Sequence, residues 1–388
     1  MDQNQTMTES RLIQHPRFWF AACFMAFFLL GSVQAAYGPL LPVYQQRGIP
    51  VSALGLLVSL HAAGAIAGIH LGGRLARKRS AKGVLLLFAA PFVAGLLWMA
   101  LANSGRQLQG AALLAGLGFG GFDVGLQLIS MRFLGPRPAS SMNLLAAGFG
   151  SGAFFSPFVV ATTGSNPQWI YGALTALALA LLLVFTQAAD QRPTGQTETR
   201  STPTQPTLSS KPFLALFFLY STFEIGITTW SGLYLAPLLG TNQAAAAVSL
   251  FWIFFLIGRL LFSALSKRIP ATRLLVALCM LAVAAAALSH KADWHLIIFP
   301  ILGLALGPIF PTAIAWVGMR FGADSRRVIP AGLLLSNGAG IAVAPIAGFV
   351  VTRFGADFIP YVNVAFSLTC LAIVISVSRI VESEPRVA

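Results

Sequence analysis

Residues 189–211 read ADQRPTGQTETRSTPTQPTLSSK, a polar stretch rich in Thr, Pro, Gln and Ser. Such a segment has too little apolar surface to fold by itself. On either side of it lies a long, predominantly apolar region, and each region divides into six hydrophobic segments. The stretch is therefore predicted to be a disordered linker that joins two halves of six helices each.

Each hydrophobic segment is long enough to cross a membrane, because about 20 apolar residues in a helix span the roughly 30 Å hydrocarbon core. Apolar residues make up 56% of the chain and charged residues 9%, whereas soluble domains have about 25% charged residues. The predicted fold class is an all-α polytopic membrane protein with twelve transmembrane helices in two pseudo-symmetric six-helix bundles. The predicted spans are 17–43, 51–75, 83–103, 107–131, 140–162, 168–188, 212–238, 244–266, 271–289, 294–319, 328–352 and 357–379.

The distribution of basic residues orients these spans. Twenty of the 25 Lys and Arg residues lie in tails, loops and span ends on the side of the N-terminus, and four lie on the opposite side. The positive-inside rule then predicts cytoplasmic termini and a multi-pass protein of the cell (inner) membrane. The net charge of +14 therefore reflects topology, and nucleic acid is not an expected partner. The predicted regions are a cytoplasmic tail at 1–16, a bundle at 17–188, the linker at 189–211, a bundle at 212–379 and a cytoplasmic tail at 380–388.

The two halves share sequence patterns. The fifth span contains G-x-G-x4-P ending at Pro157, and the eleventh contains the same pattern ending at Pro345, 188 residues later. Gly116 in the fourth span and Gly303 in the tenth begin similar glycine-containing stretches at an offset of 187. These matches at nearly one offset predict a duplicated six-helix unit.

Two acidic residues lie in the interior of predicted spans, Asp123 in the fourth and Glu224 in the seventh, while the other nine lie in tails and loops or, for Asp357, at the end of a span. An ionisable group in hydrocarbon is costly and usually marks ion coupling or substrate contact. A carboxyl group that is hydrated in one conformation and dry in another can bind and release a proton during transport, so we predict both as proton-coupling residues. The alternative is a structural hydrogen bond at Asp123 and helix packing at Glu224.

Polar side chains accompany both carboxyl groups. Asp123 and Gln127 are four residues apart and share a helix face, and Glu224 belongs to a polar stripe that suits a polyol or an amine. The alternatives are hydrogen bonds to backbone, polar contacts between helices and Trp packing against lipid. The predicted substrate-binding residues are Gln34, Tyr37, Gln127, Asn143, Tyr220, Glu224, Thr228, Trp230 and Asn337.

Other residues are predicted to be structural. Arg259 lies near the cytoplasmic end of the eighth span, where it can snorkel or bond loop carbonyls as a latch. Proline removes a backbone donor and kinks a helix, which is the expected role of the paired Pro157 and Pro345. Gly73, Arg74 and Arg77 belong to the basic loop after the second span.

The layout of six plus six spans, the central linker and that basic loop resemble the major facilitator superfamily over essentially the whole chain. The loop reads Gly73-x-Leu75-Ala76-Arg77, with Arg77 where the family usually has Asp. The difference weakens the expectation of the family's usual charge relay at this loop.

Within that superfamily the chain most resembles the fucose permease-like group of sugar–proton symporters. The glycine-rich stretch that leads to Asp123 and Gln127 is similar to the group's fourth span, and Phe223-Glu224 is similar to its seventh. Gln127 and Ala146 depart from the Asn and His that are common in the group.

The resemblance implies secondary active transport by alternating access, with proton-coupled uptake of a sugar or similar small polar solute. The alternative is a proton-coupled exporter of a drug, siderophore or amphipathic metabolite, which the 30 Phe and 7 Trp residues would suit. A non-transporting membrane receptor is a remote alternative. The sequence has no nucleotide motif, nucleophile–base constellation or metal-ligand spacing, so we expect neither enzymatic activity nor a cofactor. The expected partners of this monomer are a small solute, protons and the lipid bilayer.

Overall fold

The structure is a computed structural model that describes residues 16–130, 138–164, 166–188, 210–265, 269–321 and 325–383. The predicted tails at 1–16 and 380–388, apart from Pro16 and 380–383, lie outside these ranges, as does the linker at 189–211 apart from its last two residues. Within the described ranges, twelve helices are long and apolar enough to cross a membrane. The prediction of an all-α chain with twelve transmembrane helices is confirmed.

The predicted spans agree with the helix bounds to within four residues at every end. Lipid offers backbone groups no hydrogen-bond partners, so an apolar segment satisfies its own amides by forming a helix. The helices are α1 Pro16–Gln46, α2 Val51–Ala76, α3 Ala81–Leu101, α4 Gly105–Ser130, α5 Pro138–Thr163, α6 Pro167–Thr186, α7 Lys211–Ile225 continued as Ser231–Leu239, α8 Thr241–Leu265, α9 Ala271–Leu288, α10 His295–Leu306 continued as Ile309–Phe321, α11 Ser325–Phe354 and α12 Ile359–Ser383.

The chain folds into two compact units. The first comprises Met1–Ala36, Leu56–Ser156 and Asn166–Thr199, and the second comprises Tyr37–Gly55, Pro157–Ser165 and Arg200–Ala388.

These units do not coincide with the predicted halves at 17–188 and 212–379, because the last third of α1 packs with helices of the C-terminal region. Gly38 of α1 lies so close to α7 that a Cβ atom there would overlap the carbonyl oxygen of Thr228. The division into two six-helix bundles stays a prediction.

Glycines set the distance between one pair of helices in each unit. In the first unit Gly116 and Gly120 of α4 lie against backbone carbonyls of α2, and a Cβ atom at either position would overlap them. In the second unit Gly303 and Gly307 of α10 lie against α8 carbonyls in the same way. The second pair follows the first by 187 residues, the offset already found in the sequence.

Candidate functional site

In the first unit, the amide of Gln127 donates a hydrogen bond from Nε2 to Oδ2 of Asp123 over 2.8 Å. The two residues are one helical turn apart on α4, so the helix itself brings their side chains together. Both side chains are half-buried. The arrangement holds a carboxyl group in a fixed orientation inside a membrane span while leaving part of it accessible.

The other two predicted polar residues of this unit are Gln34 and Asn143. Gln34 is half-buried on α1. Asn143 lies on α5, and its side chain is outside the part of the chain that the structure describes. In the first unit the structure therefore shows Gln34 on α1 and the Asp123–Gln127 pair on α4.

The second unit has a break in α10, between Leu306 and Ile309. Pro308 and Pro311 lack a backbone N–H and cannot donate to the carbonyls four residues before them. The second proline thereby leaves the Gly307 carbonyl without its usual helical donor. A buried carbonyl that lacks a donor is costly, and side chains commonly supply one.

Side chains from two neighbouring helices donate to backbone carbonyls at the break, and one of these is the Gly307 carbonyl. Nε of Arg259 on α8 donates to the Gly307 carbonyl over 3.1 Å, and the Tyr220 hydroxyl on α7 donates to the Leu306 carbonyl over 3.0 Å. The Arg259 guanidinium carbon also lies 4.4 Å from the centre of the Phe255 ring, a cation–π contact. Arg259 was predicted to bond loop carbonyls, but its acceptor lies at the break within a membrane span.

Glu224 lies one helical turn beyond Tyr220 and is half-buried. Its carboxyl group lies within reach of the Tyr220 hydroxyl, whose proton is donated to the Leu306 carbonyl, and within electrostatic reach of the Arg259 guanidinium. Among the described residues, no direct salt bridge joins Glu224 to Arg259. Glu224, Tyr220 and Arg259 therefore form one polar network around the α10 break, which we call the α10-break network.

A π-helical turn at Gly226–Trp230 interrupts α7 just after Glu224. The Thr228 hydroxyl donates to the Glu224 backbone carbonyl over 2.9 Å. A Cβ atom at Gly226 would lie 2.7 Å from Oδ1 of Asn363 on α12, so a larger residue there would require the Asn363 side chain to shift. The π-helical turn shifts the register of α7. Polar residues after the turn therefore do not continue the helix face of Tyr220 and Glu224 in the way the predicted stripe requires.

Trp230 ends this turn and is 1% exposed. Its ring lies 3.6 Å from the position that a Cβ atom at Gly55 would take, and its indole N–H has no acceptor among the described residues. The ring packs inside the second unit, and a contact between Trp230 and a solute stays a prediction.

The remaining predicted residues are spread over the molecule. Tyr37 is buried in the second unit, and Asn337 is exposed on α11 with its amide donating to the Leu333 carbonyl over 2.9 Å. Pro157 is buried within α5, whereas Pro345 is exposed within α11. The side chains of Arg74 and Arg77 are exposed, and Gly73 precedes them near the end of α2.

The comparisons with known proteins bear on the class of this chain. Residues 20–330 match the sequence profile of the Major Facilitator Superfamily. The chain is 26% identical over 344 residues to the uncharacterized MFS-type transporter YtbD of Bacillus subtilis (strain 168), an alignment that covers 84% of this chain and 86% of that protein. The chain belongs to the Major Facilitator Superfamily and is a membrane transporter of this type.

Solved structures show the same fold at low sequence identity. The nucleoside transporter NupG superposes with a TM-score of 0.76 at 15% identity and covers 94% of this chain and 98% of its own. A POT family transporter in complex with a thioalcohol conjugated peptide superposes with a TM-score of 0.74 at 14% identity, covering 93% and 95%. At this level of sequence identity, these similarities show a shared fold.

Proposed function

We propose that this transporter couples protons to the uptake of a small polar solute by alternating access. The observation that carries the proposal is a half-buried carboxyl group in a membrane span of each unit, Asp123 in the first and Glu224 in the second. Each has a polar partner one helical turn away, Gln127 and Tyr220 respectively. A carboxyl group held in this way can exchange its proton when water reaches it and keep the proton when water is excluded.

The partners of the two carboxyl groups support a hydroxyl-bearing solute. An amide and a phenol can both donate and accept hydrogen bonds, which suits the hydroxyls of a sugar or a related polyol. The resemblance to the fucose permease-like symporters supports the same class of solute and the uptake direction. The basic residue distribution supports a cell (inner) membrane location with both termini in the cytoplasm.

An exporter of an amphipathic compound is the second candidate, and aromatic rings beside the α10-break network favour it. The Phe310 ring lies 5.3 Å from that of Phe217 and 5.6 Å from that of Tyr220, measured between centroids. Such a cluster next to Glu224 could contact the apolar body of a drug or siderophore. Counterflow measurements separate the two candidates by the solutes that exchange.

The test of the proposal is solute accumulation in proteoliposomes that contain the full chain. A thermal-shift screen of sugars, nucleosides, peptides, siderophores and cationic drugs identifies solutes that bind. An imposed pH gradient, acid outside, should then drive a radiolabelled hit to accumulate above its equilibrium level. Accumulation that is unchanged when a protonophore collapses the gradient would contradict proton coupling.

A further inference from the structure

Arg259 carries more hydrogen-bonding capacity than a structural role at the α10 break requires. A guanidinium group has five N–H donors. Nε–H is bonded to the Gly307 carbonyl, which is the one acceptor of Arg259 among the described residues. Among the described residues, the four N–H donors of the two Nη atoms have no acceptor and can bind another partner.

The guanidinium group is also held in position before any solute binds. Gly307 fixes Nε, the Phe255 ring covers one face of the group, and the side chain is half-buried. Carboxylates bind such a planar group through two parallel hydrogen bonds, a geometry in which Lys cannot replace Arg. The site therefore has a rigid fork of donors in a membrane span.

The charge of Arg259 needs a counter-charge, because an uncompensated ion inside a membrane protein is costly. Glu224 is the acidic residue within electrostatic reach, and no direct salt bridge joins the two groups. When Glu224 is ionised, its charge compensates that of Arg259. When Glu224 is protonated, Arg259 lacks a counter-charge and attracts an anion.

We propose that Arg259 binds the carboxylate of the transported solute, which replaces ionised Glu224 as its counter-charge. The inference rests on the proposed function and narrows its solute class to small hydroxylated acids, such as sugar acids. A proton on Glu224 and an anionic solute at Arg259 together leave the net charge of the α10-break network unchanged. Protonation and anion binding are therefore mutually favourable at this site.

Few other groups can contribute to this pH dependence. Among the described residues, Tyr220 on α7 and Cys370 on α12 are the other titratable groups that interact with the network, and Cys279 on α9 lines the same small cavity beside Tyr220. The residues of α10 that line this cavity are Leu306 and Ile309, which do not titrate. Glu224 is the carboxyl group of the network, and the other members are thiols and a phenol, which ordinarily ionise above neutral pH, so we expect Glu224 to be the group that responds.

The test compares a carboxylate with a neutral compound of similar shape, using gluconate against sorbitol and glucuronate against glucose. Binding to the purified full chain is measured by isothermal titration at pH 8 and pH 6. We expect at least one carboxylate to bind about tenfold or more tightly than its neutral partner. Its affinity should rise as the pH falls, since a protonated Glu224 no longer competes for Arg259.

Three variants locate the effect. Arg259→Gln should weaken carboxylate binding by about 10- to 100-fold and leave binding of the neutral partner unchanged. Arg259→Lys keeps the charge and a donor to Gly307, so it should retain part of the preference and remain folded if Arg259→Gln does not. Glu224→Gln should bind the carboxylate equally well at both pH values. Arg273→Gln is the matched control, because Arg273 is exposed at the start of α9.

Two results would overturn the inference. One is that neither carboxylate binds more tightly than its neutral partner, and the other is that the folded Arg259 variants keep the full preference. If a neutral sugar still accumulates under a pH gradient, the proposed function stands while the role of Arg259 is wrong. If no solute accumulates under that gradient, the proposed function fails irrespective of what Arg259 binds.

Discussion

At the scale of single residues, proline chemistry explains where the polar groups of the second unit lie. Pro311 removes the donor that the Gly307 carbonyl would have in an unbroken helix, and Arg259 supplies a replacement. The sequence contains the signal for this bond, namely a glycine four residues before a proline and an arginine inside a neighbouring span. It does not contain the distance between α8 and α10, so the acceptor could not be predicted.

Asp123→Asn tests whether this carboxyl group carries the proton. The variant should lose proton-driven accumulation, whereas exchange of labelled for unlabelled solute should continue because exchange needs no net change in protonation. Both activities are measured in the same proteoliposomes. Equal loss of both would place Asp123 in solute binding or folding.

Tyr220→Phe tests the hydrogen bond to the α10 break. Removing the hydroxyl leaves the Leu306 carbonyl without its donor, and we expect a loss of about 1 kcal/mol in the free energy of unfolding. Denaturant unfolding in detergent measures the change. Tyr361→Phe is the control, because the Tyr361 side chain is 61% exposed and its loss of a hydroxyl should leave stability unaltered.

At the scale of helices, the hydrophobic pattern predicts nearly everything about where α1 to α12 begin and end. Apolar length decides the spans, and lipid leaves the backbone no alternative to a helix. The π-helical turn at Gly226–Trp230 was missed, because a local change in the backbone hydrogen-bond pattern leaves no mark in the apolar length or hydropathy of α7. The turn begins at Gly226, whose Cβ position lies close to the Asn363 side chain.

Gly303→Ala tests the close packing of α8 and α10. The added methyl group would overlap the Phe251 carbonyl oxygen, and overpacking of this kind should lower the free energy of unfolding by about 1–3 kcal/mol. Gly318→Ala, later in α10, is the matched control because no heavy atom lies within 4 Å of its Cβ position. That substitution should be neutral or stabilising, since Ala favours a helix over Gly. Equal effects of the two would remove the packing explanation.

At the scale of the whole molecule, the count of basic residues on each side predicts the topology. It does not predict which residues belong to each of the two compact units. The positive-inside rule orients the chain, but it carries no information on which helix segments pack together. Residues 37–55 join the second unit through contacts such as that of Gly38 with Thr228. These contacts depend on three-dimensional packing that no repeat offset contains.

Thr202→Cys tests the predicted topology, because Thr202 lies in the linker expected on the cytoplasmic side. In a background in which the three native cysteines are replaced, the variant should stay unlabelled by a membrane-impermeant thiol reagent in intact cells. It should become labelled after the cells are permeabilised. Labelling of intact cells would contradict the twelve-span topology with cytoplasmic termini.

Proton movement evoked by the solute tests proton-coupled uptake most directly. Proteoliposomes that enclose a pH-sensitive dye receive a pulse of a solute that the thermal-shift screen has identified, without an imposed gradient. We predict that the lumen acidifies as the solute enters, and that Asp123→Asn abolishes this acidification. Entry of the solute with no change in luminal pH, or with alkalinisation, would contradict proton-coupled symport.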